Sequence, residues 1–160
     1  MPIEIGQKIP DVKLKMADGQ DVSTTELFRG KKAVLFAVPG AFTPTCSVSH
    51  LPGYLQRGAE FKAAGVDEIW CVSVNDAFVM GAWARDQGTE GKIRLLADGD
   101  AALAKATGLT LDLSGRGLGL RSQRYSMLLQ DGVVKVLNVE GAGKLEVSDA
   151  DTLLAQLRAL

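Results

Sequence analysis

Six consecutive apolar residues, Ala33 to Val38, run straight into Pro39-Gly40-Ala41-Phe42-Thr43-Pro44-Thr45-Cys46-Ser47. Apolar side chains at both odd and even positions imply a strand buried on both faces, as in a parallel sheet covered by helices. Pro39-Gly40 ends that strand in a tight turn, and a helical pattern follows. Thr43 suits an N-cap, where its hydroxyl can accept a free first-turn N–H. Pro44 suits the next position, where a missing N–H costs nothing and φ is preset. Cys46 therefore falls in the first turn of a helix, where unpaired N–H groups and the helix dipole favour an anion. The anion available to a cysteine is a thiolate.

An unperturbed thiol, with a pKa of ~8.5, is only a few per cent ionised at neutral pH. A helix N-terminus with a nearby cation can bring the value to roughly 6, a gain of about thirtyfold in thiolate at most. A fast nucleophile needs more, so a catalytic site must also stabilise the transition state. A lone cysteine is otherwise an inert core residue, and position alone leaves both readings open.

The whole chain bounds what surrounds this site. Its 160 residues suggest one domain, 1–160, large enough for a real core. A formal net charge of -1 gives no reason to expect nucleic acid or an anionic membrane as partner. Met1-Pro2-Ile3-Glu4 does not read as a secretory signal, and no apolar run approaches the ~18 residues of a membrane span. Two cysteines are not a disulfide framework, so a reducing, cytoplasmic setting is expected.

Taken in order, Val12, Leu14 and Met16 alternate with lysines as in a half-exposed strand, Asp18-Gly19 signals a turn, and Ser23-Thr24-Thr25-Glu26 has capping-box spacing before a short helix ending at Gly30. The helix from Pro44 should bend or break near Pro52-Gly53 and resume through Phe61. Ile69 to Val74 reads as a second buried strand, parallel to the first through a βαβ unit. Asn75-Asp76 can cap a helix whose Phe78, Val79, Ala82 and Trp83 should face the core. Ile93 to Ala97 is a further strand, followed by a short helix through Leu103, and Ser114 to Gly119 is a loop without the spacing of a phosphate-binding turn. Asp131-Gly132 joins Tyr125–Leu129 and Val133–Val139 as a hairpin, and a last helix begins at Ser148-Asp149 with Leu153, Leu154, Leu157 and Leu160 as its buried stripe. The architecture is α/β, a mixed central sheet flanked by helices.

Several chemistries compete for Cys46. Ser47, Val48 and Ser49 follow it, so there is no Cys-x-x-Cys and no dithiol exchange within one loop. A single activated thiolate remains, for which a peroxide is a natural target: attack on one oxygen yields a sulfenic acid. His50, the only histidine, lies four residues on and could share a helical face with Cys46. A cysteine–histidine pair also suits acyl transfer, but no orienting partner or oxyanion loop is identifiable. One histidine and two separated cysteines make a poor metal site. Cys71, inside the second buried strand, reads as an inert core thiol.

The motif Pro39-x-x-x-Thr43-x-x-Cys46 resembles the signature of peroxiredoxins, and Pro39 to Ser47 with His50-Leu51-Pro52-Gly53-Tyr54 is similar to their type II (Prx5) branch. Cys71 to Val79, Arg94-Leu95-Leu96-Ala97-Asp98, Arg121-Ser122-Gln123-Arg124-Tyr125-Ser126-Met127 and Gln130 to Val134 extend the resemblance along nearly the whole chain. It implies a thioredoxin-like fold with an N-terminal extension and a thiol-dependent peroxidase without cofactor or metal, acting on hydrogen peroxide and organic hydroperoxides. By the same resemblance Cys46 is the peroxidatic residue, the Thr43 hydroxyl holds the peroxide, Pro39 shields the sulfur, and the Cys46 N–H binds peroxide oxygens. Arg124 supplies the charge, with Arg121 three residues earlier as a competing or supporting candidate. Some relatives resolve the oxidised cysteine with a second one near the C-terminal end, where this chain has Lys144-Leu145-Glu146-Val147-Ser148. The expectation is therefore a one-cysteine cycle resolved by an external thiol, glutathione with glutaredoxin or thioredoxin. A two-cysteine cycle using Cys71, a peroxide sensor relaying Cys46 oxidation to a protein partner, and a holdase on the same scaffold are the alternatives. The resemblance also places the Phe42 turn at a dimer contact, implying a homodimer.

Overall fold

In a computed structural model describing residues 2–160, a seven-stranded mixed sheet forms the middle layer. Its strands are β1 (Lys13–Met16), β2 (Asp21–Ser23), β3 (Lys32–Val38), β4 (Glu68–Ser73), β5 (Arg94–Ala97), β8 (Tyr125–Gln130) and β9 (Val133–Val139), in the order β2-β1-β5-β4-β3-β8-β9. Helices α1 (Thr24–Phe28) and α4 (Ala102–Thr107) join one face. Helices α2 (Leu51–Ala63), α3 (Ala77–Gln87) and α5 (Ala150–Arg158) cover the other. This is the thioredoxin-like α/β sandwich, with β1, β2 and α1 as its N-terminal extension.

The unbroken apolar run does what its pattern requires. In β3 the even residues Val34, Phe36 and Val38 pack into the core beneath α2, α3 and α5, while Ala33, Leu35 and Ala37 pack into the core on the opposite face. Two apolar layers need both parities apolar, because successive strand side chains point to opposite faces. β3 runs parallel to β4 and antiparallel to β8, with Ala37 opposite Val72 on one side and Tyr125 on the other. The turn leaving β3 thus lies beside the end of β4 and the beginning of β8. That register is what later brings Arg124 to Cys46.

The capping expectations hold at three helices. Ser23 accepts the Glu26 N–H, Asp76 the Val79 N–H and Asp149 the Thr152 N–H. Asp131-Gly132 turns between β8 and β9 with both residues at positive φ.

Three expectations need correction. Phe78 does not face the core: it is 89% exposed, because the inward side of α3 carries Met80 and Trp83, with Gly81 close to the Ala17 carbonyl. Leu160 lies beyond the end of α5 and is exposed, leaving Leu153, Leu154 and Leu157 as the stripe. The helix does not break at Pro52-Gly53. A π-helical turn, Cys46–His50, leads into α2 without a break, and Pro52 stands where that wider winding passes into the α-helical one. The Ser114–Gly119 stretch is a loop as expected, and it forms the tip of a small separate hairpin that was not expected, β6 (Thr110–Leu113) and β7 (Gly119–Ser122). Its four-residue strands are too short to show a clear period.

Candidate active site

The helical turn after β3 begins when the Ser47 N–H donates to the Thr43 carbonyl at 3.0 Å, so Cys46 does occupy the first turn. The Cys46 N–H meets no acceptor among the described residues, leaving it free at the positive end of the helix. From Cys46 the winding loosens, and the Leu51 N–H reaches back to the Cys46 carbonyl. Such π turns occur often at functional positions.

The Thr43 hydroxyl does not cap this helix. It donates to the Gly40 carbonyl at 2.6 Å, folding the side chain back over the turn. Its hydrogen is committed there, so its lone pairs are available to accept from a ligand O–H. A Cβ at Gly40 would crowd this packing, lying 3.1 Å from Thr43 Cγ2 and 3.2 Å from Arg121 Nη1.

Three further contacts fix the turn. The Ala41 N–H donates to Asn75 Oδ1 at 3.0 Å, and the Ser73 hydroxyl holds the same oxygen at 2.6 Å. Arg121 Nη1 donates to the carbonyls of Pro39 (3.4 Å) and Val74 (3.1 Å), bridging the ends of β3 and β4. Trp83 Nε1 donates to Ser47 Oγ at 3.0 Å, tying the residue after the cysteine to α3. Phe42 adopts a φ of 63° and stands 52% exposed at the tip.

Cys46 is wholly buried, and Arg124, immediately before β8, is 8% exposed. Arg124 Nη2 donates to Cys46 Sγ at 3.2 Å. Its Nη1 lies 2.9 Å from His50 Nδ1. Arginine has only donors, so Nδ1 must carry a lone pair and the ring proton must sit on Nε2. Nε2 duly faces the Ser148 carbonyl at 3.0 Å. Burial, and then the Arg124 charge, hold the His50 imidazole at a pKa of about 3, so it is neutral at physiological pH. Phe36 and Tyr54 wall the ring in, with centroids at 4.9 and 5.7 Å.

A permanent cation thus lies against a buried sulfur at the start of a helix. The free Cys46 N–H and the guanidinium are two donors near one nucleophile, the arrangement that stabilises charge moving onto a second atom. Of the residues singled out in the sequence, Pro39, Thr43, Cys46 and Arg124 meet at this turn, with His50 behind Arg124 and Arg121 behind Pro39. Cys71 stays in β4, opposite Phe36 and fully buried; burial, then the proximity of Cys46, pushes its thiol well above the ordinary range. A cavity of about 580 Å³ lies elsewhere, between β1, the start of α3 and the end of β5. No group of His, Cys, Asp and Glu able to hold a metal ion occurs among the described residues.

Sequence reasoning missed Asn75 as an anchor of the turn, reading it only as a cap. Its position one residue beyond Val74, past the end of a strand parallel to β3, was the available signal. It also missed Glu140 and Ser148, for which no motif exists.

Comparison with known proteins places this geometry in context. A family model described as Redoxin matches residues 4–154. Peroxiredoxin-2E-2, chloroplastic, of Oryza sativa subsp. japonica is 51% identical over 163 residues, covering 97% of this chain and 72% of that protein. The crystal structure of reduced Prx3 in complex with H2O2 from Vibrio vulnificus is 55% identical with a TM-score of 0.93, covering 97% of this chain and 99% of that one. Peroxiredoxin 5 from Alvinella pompejana is 35% identical with a TM-score of 0.90, covering 99% and 100% of the two chains.

Proposed function

The chain belongs to the peroxiredoxin family, in its type II branch, and is a thiol-dependent peroxidase; from that premise we propose that Cys46 is its peroxidatic residue, served by Thr43, Arg124 and Pro39. The observation that carries this reading is the 3.2 Å contact between Arg124 Nη2 and Cys46 Sγ at the start of the helix.

The Cys46 thiolate attacks one oxygen of the peroxide. A sulfur–oxygen bond forms, the oxygen–oxygen bond breaks, and the departing oxygen leaves with the electron pair and takes a proton from water. Cys46 becomes a sulfenic acid and the peroxide is reduced. Charge leaves the sulfur and builds on the departing oxygen. Arg124 is placed to serve both atoms, the Cys46 N–H supplies a second donor, and the Thr43 oxygen accepts the peroxide O–H. Pro39, half-buried beside the turn, limits the approach of water. Hydrogen peroxide and small organic hydroperoxides are the proposed substrates.

The oxidised enzyme is reduced by a thiol. We read that thiol as external, glutathione with glutaredoxin first and thioredoxin second, because Cys71 is held inside a central strand. An external thiol displaces water from the sulfenic acid to give a mixed disulfide, and a second thiol releases Cys46. The exposed Phe42 at the turn supports a homodimer, and two unpaired cysteines suit a reducing, cytoplasmic setting. The experiment is peroxide consumption with glutathione and glutaredoxin supplied, counted per subunit. Continuous turnover with a glutathione adduct on Cys46 is expected. Consumption that stops near one peroxide per subunit would make the protein a sensor, and a Cys46–Cys71 crosslink would replace the external thiol.

A further inference from the structure

The hydrogen bonds behind Arg124 form a closed circuit. The Glu140 N–H, just past β9, donates to the Arg124 carbonyl at 2.9 Å. Oε2 of Glu140 accepts from both the N–H and the hydroxyl of Ser148, each at 2.7 Å. The Ser148 carbonyl accepts from His50 Nε2 at 3.0 Å. His50 Nδ1 accepts from Arg124 Nη1 at 2.9 Å, and the circuit ends on the residue where it began. The other terminal nitrogen, Nη2, points at Cys46 Sγ.

Each step has a chemical reason. The guanidinium can only donate, so it requires an acceptor at Nδ1. A neutral imidazole offers one only if its proton is on Nε2, and the Ser148 carbonyl demands that proton. Ser148 is in turn set by Glu140, whose Oε2 also takes the N–H groups of Glu146 and Val147, both at 2.8 Å. Burial alone would raise the Glu140 carboxyl, but the hydroxyl and backbone bonds outweigh it and hold it below the usual carboxylate range. The preceding residues, Gly141-Ala142-Gly143-Lys144, are exposed and bring no apolar anchor. One carboxylate oxygen therefore gathers the 146–148 segment, and the Ser148 carbonyl it sets faces the histidine while also accepting from the Tyr54 hydroxyl at 2.8 Å.

We propose that Glu140 is a positioning residue of the peroxidase, acting through Ser148 and His50 to aim the Arg124 guanidinium at Cys46. This rests on the peroxidase reading above. Loss of the carboxylate removes the shared acceptor of the 146–148 segment, leaves the Tyr54 hydroxyl as the remaining side-chain partner of the Ser148 carbonyl, and so loosens the His50 ring and the aim of Nη2 at the sulfur. Small displacements of a catalytic group are costly: about 1 Å can lose roughly a hundredfold in rate.

The test compares Glu140→Ala and Glu140→Gln with Glu146→Gln, a matched change on an exposed side chain of the same segment. Folding is checked by circular dichroism, the rate of Cys46 oxidation by stopped-flow fluorescence, and sulfur ionisation by the pH profile of iodoacetamide alkylation. Glu140→Ala is expected to slow oxidation by about tenfold to a hundredfold and to move the alkylation profile to higher pH, with Glu140→Gln between it and the unchanged Glu146→Gln. A folded Glu140→Ala with wild-type rate and profile overturns the proposal. If Glu140→Ala does not fold, Glu140→Gln decides by the same two readouts. A separate arm needs no variant: His50 is the only histidine, so nitrogen-15 NMR of the untagged protein reads one ring. The Nε2–H tautomer is expected at pH 7, and the Nδ1–H tautomer overturns the proposal. A wild-type protein inert to peroxide would instead sink the peroxidase reading itself.

Discussion

Arg124 donates to Cys46 Sγ at 3.2 Å although the two residues are 78 positions apart, and the pairing of β3 with β8 is what closes that gap. The turn carrying the cysteine leaves the end of β3 where the antiparallel β8 begins. The guanidinium is buried against the sulfur, so its charge is little screened by solvent.

Replacing that charge should cost transition-state stabilisation. Arg124→Ala is expected to lower the rate constant for Cys46 oxidation by about a hundredfold to a thousandfold, the usual effect of losing one such donor. Arg124→Lys should recover only part of it. Lysine keeps the charge but cannot meet His50 Nδ1 and the sulfur with two fixed nitrogens. Stopped-flow oxidation by hydrogen peroxide measures both.

Thr43 works through a hydroxyl whose hydrogen is already committed to Gly40. Thr43→Val keeps the shape and removes the acceptor, so oxidation should slow by about a hundredfold, while Thr43→Ser keeps most activity. Gly40→Ala should also slow it, because the added Cβ crowds Thr43 Cγ2 and Arg121 Nη1. The Gly40 variant tests whether the turn's close packing, rather than the hydroxyl alone, sets the rate.

The two cysteines should separate cleanly. Cys46→Ser is expected to abolish peroxide turnover, and Cys71→Ala to leave it within about twofold, since Cys71 is buried and touches no proposed reacting atom. A coupled assay of both purified variants with glutathione and glutaredoxin measures this. A folded Cys71→Ala without turnover would contradict the one-cysteine cycle.

His50 gives the stability a pH dependence of known sign. Its pKa is about 3 in the folded protein against 6.5 for an unperturbed ring, so between these values the unfolded chain binds the extra proton. The contribution is fully present above the unfolded value and is lost as pH falls from about 6.5 toward 3. Arg124 is the cation facing the ring, and Glu140 and Asp149 are the carboxylates near enough to oppose the shift. Urea unfolding from pH 7 to pH 4 should show stability falling, with a shallower slope in His50→Gln.

Much of this site was legible in the sequence because it is local. Strand, Pro-Gly turn, Pro44 and Cys46 follow one another, and simple capping and dipole arguments place the sulfur correctly. What failed there was the Thr43 hydroxyl, which took the nearer Gly40 carbonyl instead of a first-turn N–H. Arg124 was reached only through resemblance, since an arginine at a strand start otherwise reads as solvated surface. Phe78 was misplaced because two adjacent apolar faces of α3 fit the helical period equally well. Glu140 carried no signal: a glutamate after a strand looks exposed until the segment six to eight residues later folds over it.

The central claim is that peroxide meets the Cys46 sulfur and no other. The most direct measurement is mass spectrometry of the reduced protein after one equivalent of hydrogen peroxide, with dimedone present to trap sulfenic acid. The adduct is expected on the Cys46 peptide, with Cys71 unmodified. An untouched Cys46, or an adduct on Cys71 in its place, would contradict it.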